Sequence, residues 1–138
     1  MLKFAVVGTG IIGAKHLAAI AESESCCLCA VCDINEKAAA AASEKYGVPS
    51  FTDYRDIPQK TKADAVILNL PHWLHCEATV FFLEQGLHVL VEKPMATTLE
   101  ECLKMQETAN RVGKKLAVGH LQRFFFCKLQ GQRNRSQW

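Results

Sequence analysis

A glycine-rich turn near the start of the chain limits its fold more than any other feature. Gly8-Thr9-Gly10-Ile11-Ile12-Gly13 follows the apolar run Leu2–Val7 and opens Ile11–Ala21, where Ile12, Leu17 and Ile20 recur at helical spacing. A strand that passes into a helix on this glycine pattern reads as the first turn of a β-α-β unit. Gly8 permits the tight turn, Gly10 clears the backbone for a close approach, and Gly13 lets the helix pack onto the strand. The free amides and the positive helix end then face an anion, which implies a pyrophosphate. Gly8, Thr9, Gly10, Ile11, Ile12 and Gly13 are therefore candidate contacts for a dinucleotide. Asp33 lies twenty positions after Gly13, at the end of the next apolar run. A carboxylate there can accept hydrogen bonds from both adenosine ribose hydroxyls and repels a 2′-phosphate, so NAD is expected rather than NADP.

The alternation continues along the chain. Leu28–Cys32 reads as a second strand, and alanine-rich Glu36–Tyr46 as a helix stopped by Gly47. Val48–Phe51 is a short third strand, and Thr52–Lys62 a loop with a turn of helix. Ala65–Leu70 is a strand ending at Pro71, Trp73–Gln85 a helix, and Leu87–Val91 the next strand. Thr98 and Glu101 form a capping box for a helix running to about Val112, and Leu116–Val118 is the sixth strand. Strands separated by helices pair in parallel through right-handed crossovers, with helices on both faces. Their nearly all-apolar composition fits burial on both sides. The expected fold is an α/β, doubly wound parallel sheet of order 3-2-1-4-5-6.

Charge and composition exclude several other roles. Of the 16 Lys and Arg residues, Lys128, Arg133 and Arg135 lie in the last eleven positions without an acidic neighbour, leaving 13 basic against 14 acidic residues in 1–127. The body has no basic face for nucleic acid. No apolar run is long enough for a membrane span, and the N-terminal apolar run leads into the glycine turn instead of a cleavage site, so the protein reads as cytoplasmic. Four of the seven cysteines cluster at Cys26, Cys27, Cys29 and Cys32. No second ligand pair follows at zinc-site spacing, and the cluster falls in an apolar strand, so no metal is expected.

The ends of the later strands bring a family into view. Gly8–Gly13, Asp33, Leu70-Pro71 with His75, Glu92-Lys93-Pro94, and Gly119-His120 with Arg123-Phe124 together resemble the glucose–fructose oxidoreductase / inositol dehydrogenase / rhizopine-catabolism (Gfo/Idh/MocA) family. The resemblance implies a two-domain enzyme that moves a hydride between NAD(P) and a hydroxyl carbon of a sugar or cyclitol. It implies that Lys93 is the catalytic lysine, beside the nicotinamide ribose and the substrate hydroxyl. It places Glu92 where it sets that ribose and the lysine, Leu70 and Pro71 at the border of the dinucleotide groove, and His75 as a groove-lining residue. His16, on the first helix, is expected to be structural.

The same resemblance implies a second domain that carries an aspartate and histidine acid–base pair and most substrate contacts. Here Phe124-Phe125-Phe126-Cys127 leads into a polar, basic end without strand or helix period. Residues 1–120 read as the dinucleotide-binding domain, 121–127 as the start of a link to a missing second domain, and 128–138 as a disordered or artefactual tail. The chain alone is then expected to be inactive, and the three phenylalanines to drive self-association. A non-catalytic dinucleotide-binding module or a nucleotide-sensing regulator remains the alternative.

Overall fold

Side chains along a strand point alternately to the two faces of a sheet, and the strands here supply apolar residues to both. They are β1 (Leu2–Val7), β2 (Cys26–Cys32), β3 (Ser50–Phe51), β4 (Ala65–Leu68), β5 (His88–Glu92) and β6 (Leu116–Gly119). The computed structural model describes residues 1–120, and the expectations for 121–127 and 128–138 lie outside them. The six strands form one parallel sheet in the order β3-β2-β1-β4-β5-β6, as the alternation of patterns predicts. The helices are α1 (Ile11–Ala21), α2 (Glu36–Tyr46), α3 (Ile57–Lys60), α4 (His75–Glu84) and α5 (Leu99–Val112).

Two cores follow from the alternation. Val6, Val31 and Ile67 pack with Leu17 and Ile20 of α1 and Ala42 of α2. Their neighbours Ala5, Val7, Cys32, Val66 and Leu68 turn the other way, onto Ile57 of α3, Phe82 and Leu83 of α4, and Met105 of α5. Phe82, Leu17 and Ile57 are among the largest fully buried side chains. Each such burial contributes about 1.5–3 kcal/mol. Ile12 does not join the core as its spacing predicts: it is 38 % exposed, and Gly13, Leu17 and Ile20 form the buried stripe of α1.

Element boundaries differ from the sequence-based expectation where a backbone group is spent elsewhere. Val48 N–H donates to Ser43 O at the end of α2, and β3 shortens to Ser50–Phe51. The β4 strand stops at Leu68, because Asn69 turns its side chain onto the glycine turn and Pro71 has no N–H to continue a ladder. A 3₁₀ turn at His72–Leu74 precedes α4. Leu87 N–H donates to Phe82 O, so β5 begins one residue later than expected. The Thr98–Glu101 capping box forms as predicted.

The β2 cysteines are free thiols. Burial, then neighbouring Cys27 and Asp64, pushes Cys29 up to about 11, and burial with Asp33, Asp53 and Asp56 pushes Cys32 up to about 12. A thiol held protonated in this way behaves as a small hydrophobe. Among the described residues, no three His, Cys, Asp or Glu side chains converge on a metal position, and no helix is long and apolar enough to cross a membrane.

Candidate functional site

In a parallel sheet every strand ends at the same edge. Between β1 and β4 the order reverses, and α1 and α4 leave toward opposite faces, so a crevice opens at their C-terminal ends. The glycine turn follows β1, Asp33 follows β2, Asn69-Leu70-Pro71 follows β4, Glu92-Lys93-Pro94 closes β5, and Gly119 closes β6. The sequence-predicted residues thus collect along one edge.

The glycine turn is shaped by what it lacks. A Cβ on Gly13 would lie 1.9 Å from Gly8 O, and one on Gly8, whose φ is +85°, would lie 2.4 Å from Asn69 O. Both contacts are with backbone, so no rotamer change relieves them. A Cβ on Gly10 would meet nothing within 4 Å. Its surroundings are open, which leaves room for a ligand against the backbone. The first intrahelical bond of α1 runs from Ala14 N–H to Gly10 O (2.8 Å), and the N-cap residue, Gly10, has no side chain to cap the amides of the first turn. The first turn of α1 also carries no acidic residue. An uncapped, electropositive helix end beside an open glycine is a fit for a pyrophosphate.

Asp33 is already engaged. Its Oδ2 accepts from Thr9 N–H (2.8 Å) and the Thr9 hydroxyl (2.9 Å), and its Oδ1 from Asn35 N–H (2.9 Å). Burial pushes its carboxyl up, but the Thr9 and Asn35 hydrogen bonds outweigh this and hold it below its ordinary value. A charged carboxylate has about four acceptor positions, so capacity remains for a ribose hydroxyl. The Thr9 amide, however, is spent on Asp33 and not free for phosphate.

Sequence reasoning missed Asn69. Its Nδ2 donates to Gly8 O (3.2 Å) and lies 3.4 Å from Val7 O, while its backbone N–H donates to Val7 O (2.8 Å). Its Oδ1 is buried without a partner among the described residues. Asn69 thereby ties the end of β4 to the turn after β1, across the reversal of strand order. Its proximity to Gly8 depends on the folded crossover, and no local motif signals it.

The second cluster surrounds Glu92, which is 8 % exposed. Glu92 Oε1 is 2.9 Å from His16 Nε2, and Oε2 accepts from Lys93 N–H (3.2 Å). A carboxylate only accepts, so His16 Nε2 carries the proton and donates. A Cβ on Gly119 would come within 2.7 Å of Glu92 Oε1, so glycine there makes the seat for the carboxylate. His16 is therefore more than a packed helix residue. Lys93 is exposed, and the Lys93–Pro94 peptide is cis.

His75 departs from expectation. The ring is fully buried, with Nδ1 2.8 Å from Pro94 O and Nε2 2.9 Å from Leu70 O. Both neighbours are carbonyl acceptors and a neutral imidazole has one N–H for the two of them, so the ring is held among the chain's own loops and does not line the groove. Leu70 is half-buried and Pro71 exposed at the crevice edge. A separate groove of about 560 Å³ runs along α4 and α5, with Trp73, Phe81, Glu84 and Lys104 in its wall, and none of the expected site residues lines it.

The sheet order, the glycine turn and the crevice define a domain of the Rossmann dinucleotide-binding type. Residues 2–120 match the model of the oxidoreductase family with an NAD-binding Rossmann fold (GFO_IDH_MocA), and the chain belongs to that family. Similar proteins include the inositol 2-dehydrogenase of Salmonella typhimurium, 32% identical over 127 residues, covering 89% of this chain and 38% of that protein. The D-glucoside 3-dehydrogenase of Escherichia coli is 37% identical over 125 residues, covering 89% of this chain and 36% of its own length. Among solved structures, scyllo-inositol dehydrogenase from Lactobacillus casei, with bound cofactor NAD(H) and scyllo-inositol, superposes with a TM-score of 0.85 at 28% identity, covering 90% of this chain and 37% of that one. The chain thus spans somewhat over a third of the length of these relatives.

Proposed function

We propose that this chain is the domain that binds NAD, in preference to NADP, in an oxidoreductase transferring a hydride between NAD and a hydroxyl carbon of a sugar or cyclitol. The observation that carries the reading is the open, uncapped glycine turn with Asp33 hydrogen-bonded beside it. When bound, the dinucleotide supplies the hydride acceptor or donor. The Ile11, Ile12 and Gly13 amides would hold its pyrophosphate, and Asp33 its adenosine ribose. Leu70 and Pro71 would border it, and Glu92 would set the turn that carries Lys93. Lys93 would orient a substrate hydroxyl and exchange its proton. The sugar and cyclitol dehydrogenases among the relatives support the substrate class. A substrate pocket would need the length that those relatives have beyond the matched region.

Calorimetric titration with NAD and NADP tests the reading. NAD is expected to bind at least about tenfold more tightly, a difference of about 1.4 kcal/mol. Equal affinity, or a preference for NADP, overturns the role of Asp33. Absence of binding by either overturns the role of the glycine turn.

A further inference from the structure

The turn Glu92-Lys93-Pro94 is gripped by two histidines that come from opposite faces of the sheet. His16 belongs to α1, which packs on the Val6 and Ile67 face. Its Nε2 donates to Glu92 Oε1 at 2.9 Å, across 76 residues of sequence. His75 belongs to α4, which packs on the Val66 and Leu68 face. Its Nδ1 lies 2.8 Å from Pro94 O and its Nε2 2.9 Å from Leu70 O, so the ring stands between the two carbonyls with an N–H for one of them. One histidine therefore holds the first residue of the turn by its side chain. The other holds the last residue by its backbone. Lys93 lies between them, with its own amide donating to Glu92 Oε2.

We propose that His16 and His75 are positioning residues that jointly fix the backbone of Lys93 relative to the glycine turn and the end of β4. This rests on the reading of the crevice as a dinucleotide site and assigns a task to two side chains that touch no ligand in it. The geometry has a reason. His16 stands three residues after Gly13, on the helix whose first turn would meet the pyrophosphate. A rigid link from that helix to Glu92 transmits the position of the phosphates to Lys93. The contact is largely shielded, with the His16 and Glu92 side chains 15% and 10% exposed, so water competes weakly for it and the hydrogen bond sets orientation. Gly119 reinforces the link, since the space its missing Cβ leaves is occupied by the Glu92 carboxylate.

The test uses the full chain with His16→Ala, His16→Gln and His75→Gln. NADH and ADP are titrated separately, since ADP carries the adenosine end without the nicotinamide end. Amide hydrogen exchange of Lys93 is followed without ligand, with Val6 and Val66 as core references. In His16→Ala, NADH affinity is expected to fall about tenfold or more, with ADP affinity unchanged within about twofold. Lys93 exchange is expected to accelerate at least about tenfold while the core references hold. Glutamine at 16 offers an amide donor at similar reach and should restore both readings. His75→Gln keeps an N–H donor but not the shape of the ring, and should weaken NADH without weakening ADP. Parallel loss of NADH and ADP would mean general loosening and would overturn the proposal. So would unchanged Lys93 exchange in His16→Ala, or failure of glutamine to rescue. If the wild type binds neither ligand, the dinucleotide reading fails, while the exchange of Lys93 still decides whether the histidines hold the turn.

Discussion

The turns after β1 and β5 solve one problem, holding backbone rigid at the edge of a sheet, by opposite means. The first works by omission. Gly8 and Gly13 let backbone meet backbone so closely that a methyl group would collide with a carbonyl at 2.4 and 1.9 Å. The second works by addition, with Glu92, His16 and His75 supplying hydrogen bonds from three elements. Omission leaves a bare surface on which a phosphate can lie. Addition leaves an exposed lysine on a fixed base. The contrast teaches that a bare backbone surface and an exposed side chain need different supports, even at one edge of one sheet with only β4 between them.

The largest effect should come from closing the first turn. Gly13→Ala places a methyl group against Gly8 O, and is expected to cost about 3 kcal/mol of stability by overpacking. It should also lower dinucleotide affinity by about 100-fold or more, some 2.8 kcal/mol. Urea unfolding and calorimetry measure the two. A stable variant that still binds would show that the close approach of helix and strand is dispensable.

Removing the buried ring at the second turn comes next. His75→Ala removes the ring N–H that stands between Leu70 O and Pro94 O and opens a cavity under α4. It is expected to destabilise by about 2–3 kcal/mol. A shift in the urea midpoint corresponding to less than 1 kcal/mol would mean that water replaces the ring and that the support is looser than the hydrogen bonds suggest.

Gly10→Ala sharpens the comparison, because its methyl group would enter open space. Stability should stay within about 0.5 kcal/mol of wild type. Dinucleotide affinity should nevertheless fall about tenfold, since the methyl group occupies the position a pyrophosphate would approach. Unchanged affinity would place the ligand elsewhere.

The smallest effect is in the acid limb of stability. Hydrogen bonds hold the Asp33 carboxyl below 3.8 in the folded chain. Its contribution is therefore present above that ordinary value and is lost as the pH falls through the depressed one. Asp33→Asn should flatten this part of the stability–pH curve, measured by thermal melts between about pH 5 and 2. An unaltered slope would mean that the Thr9 hydrogen bonds are not maintained in solution.

The first turn was readable from the sequence because its requirement is local. Close backbone approach leaves glycine, and three glycines within six residues beside a strand and a helix can be recognised without knowing the rest of the fold. The sheet order was readable for the same reason, as strand and helix periods alternate along the chain. The second turn was only half readable. Glu92 and Lys93 were flagged and His16 was expected to be structural, as its contact with Glu92 is, but that partner was not foreseen, and His75 was expected to line the groove. Their partners lie across the sheet, or are main-chain carbonyls that any residue could present. Asn69 escaped notice because its target is the backbone of Gly8, 61 residues away. Side-chain identity signals such contacts poorly, and only the folded crossover brings them together.

The Thr9–Asp33 contact bears on attempts to redesign coenzyme choice. The carboxylate that would reject a 2′-phosphate also anchors the amide and hydroxyl of Thr9 inside the glycine turn. Replacing Asp33 with a small or basic residue to admit NADP would remove both functions in a single step. The turn would lose its latch at the moment it is asked to accept a bulkier guest. Altered preference in this scaffold therefore calls for at least a paired exchange, in which a second side chain takes over the restraint on Thr9. Single substitutions at position 33 are expected to give catholic but feeble binders instead of converted ones.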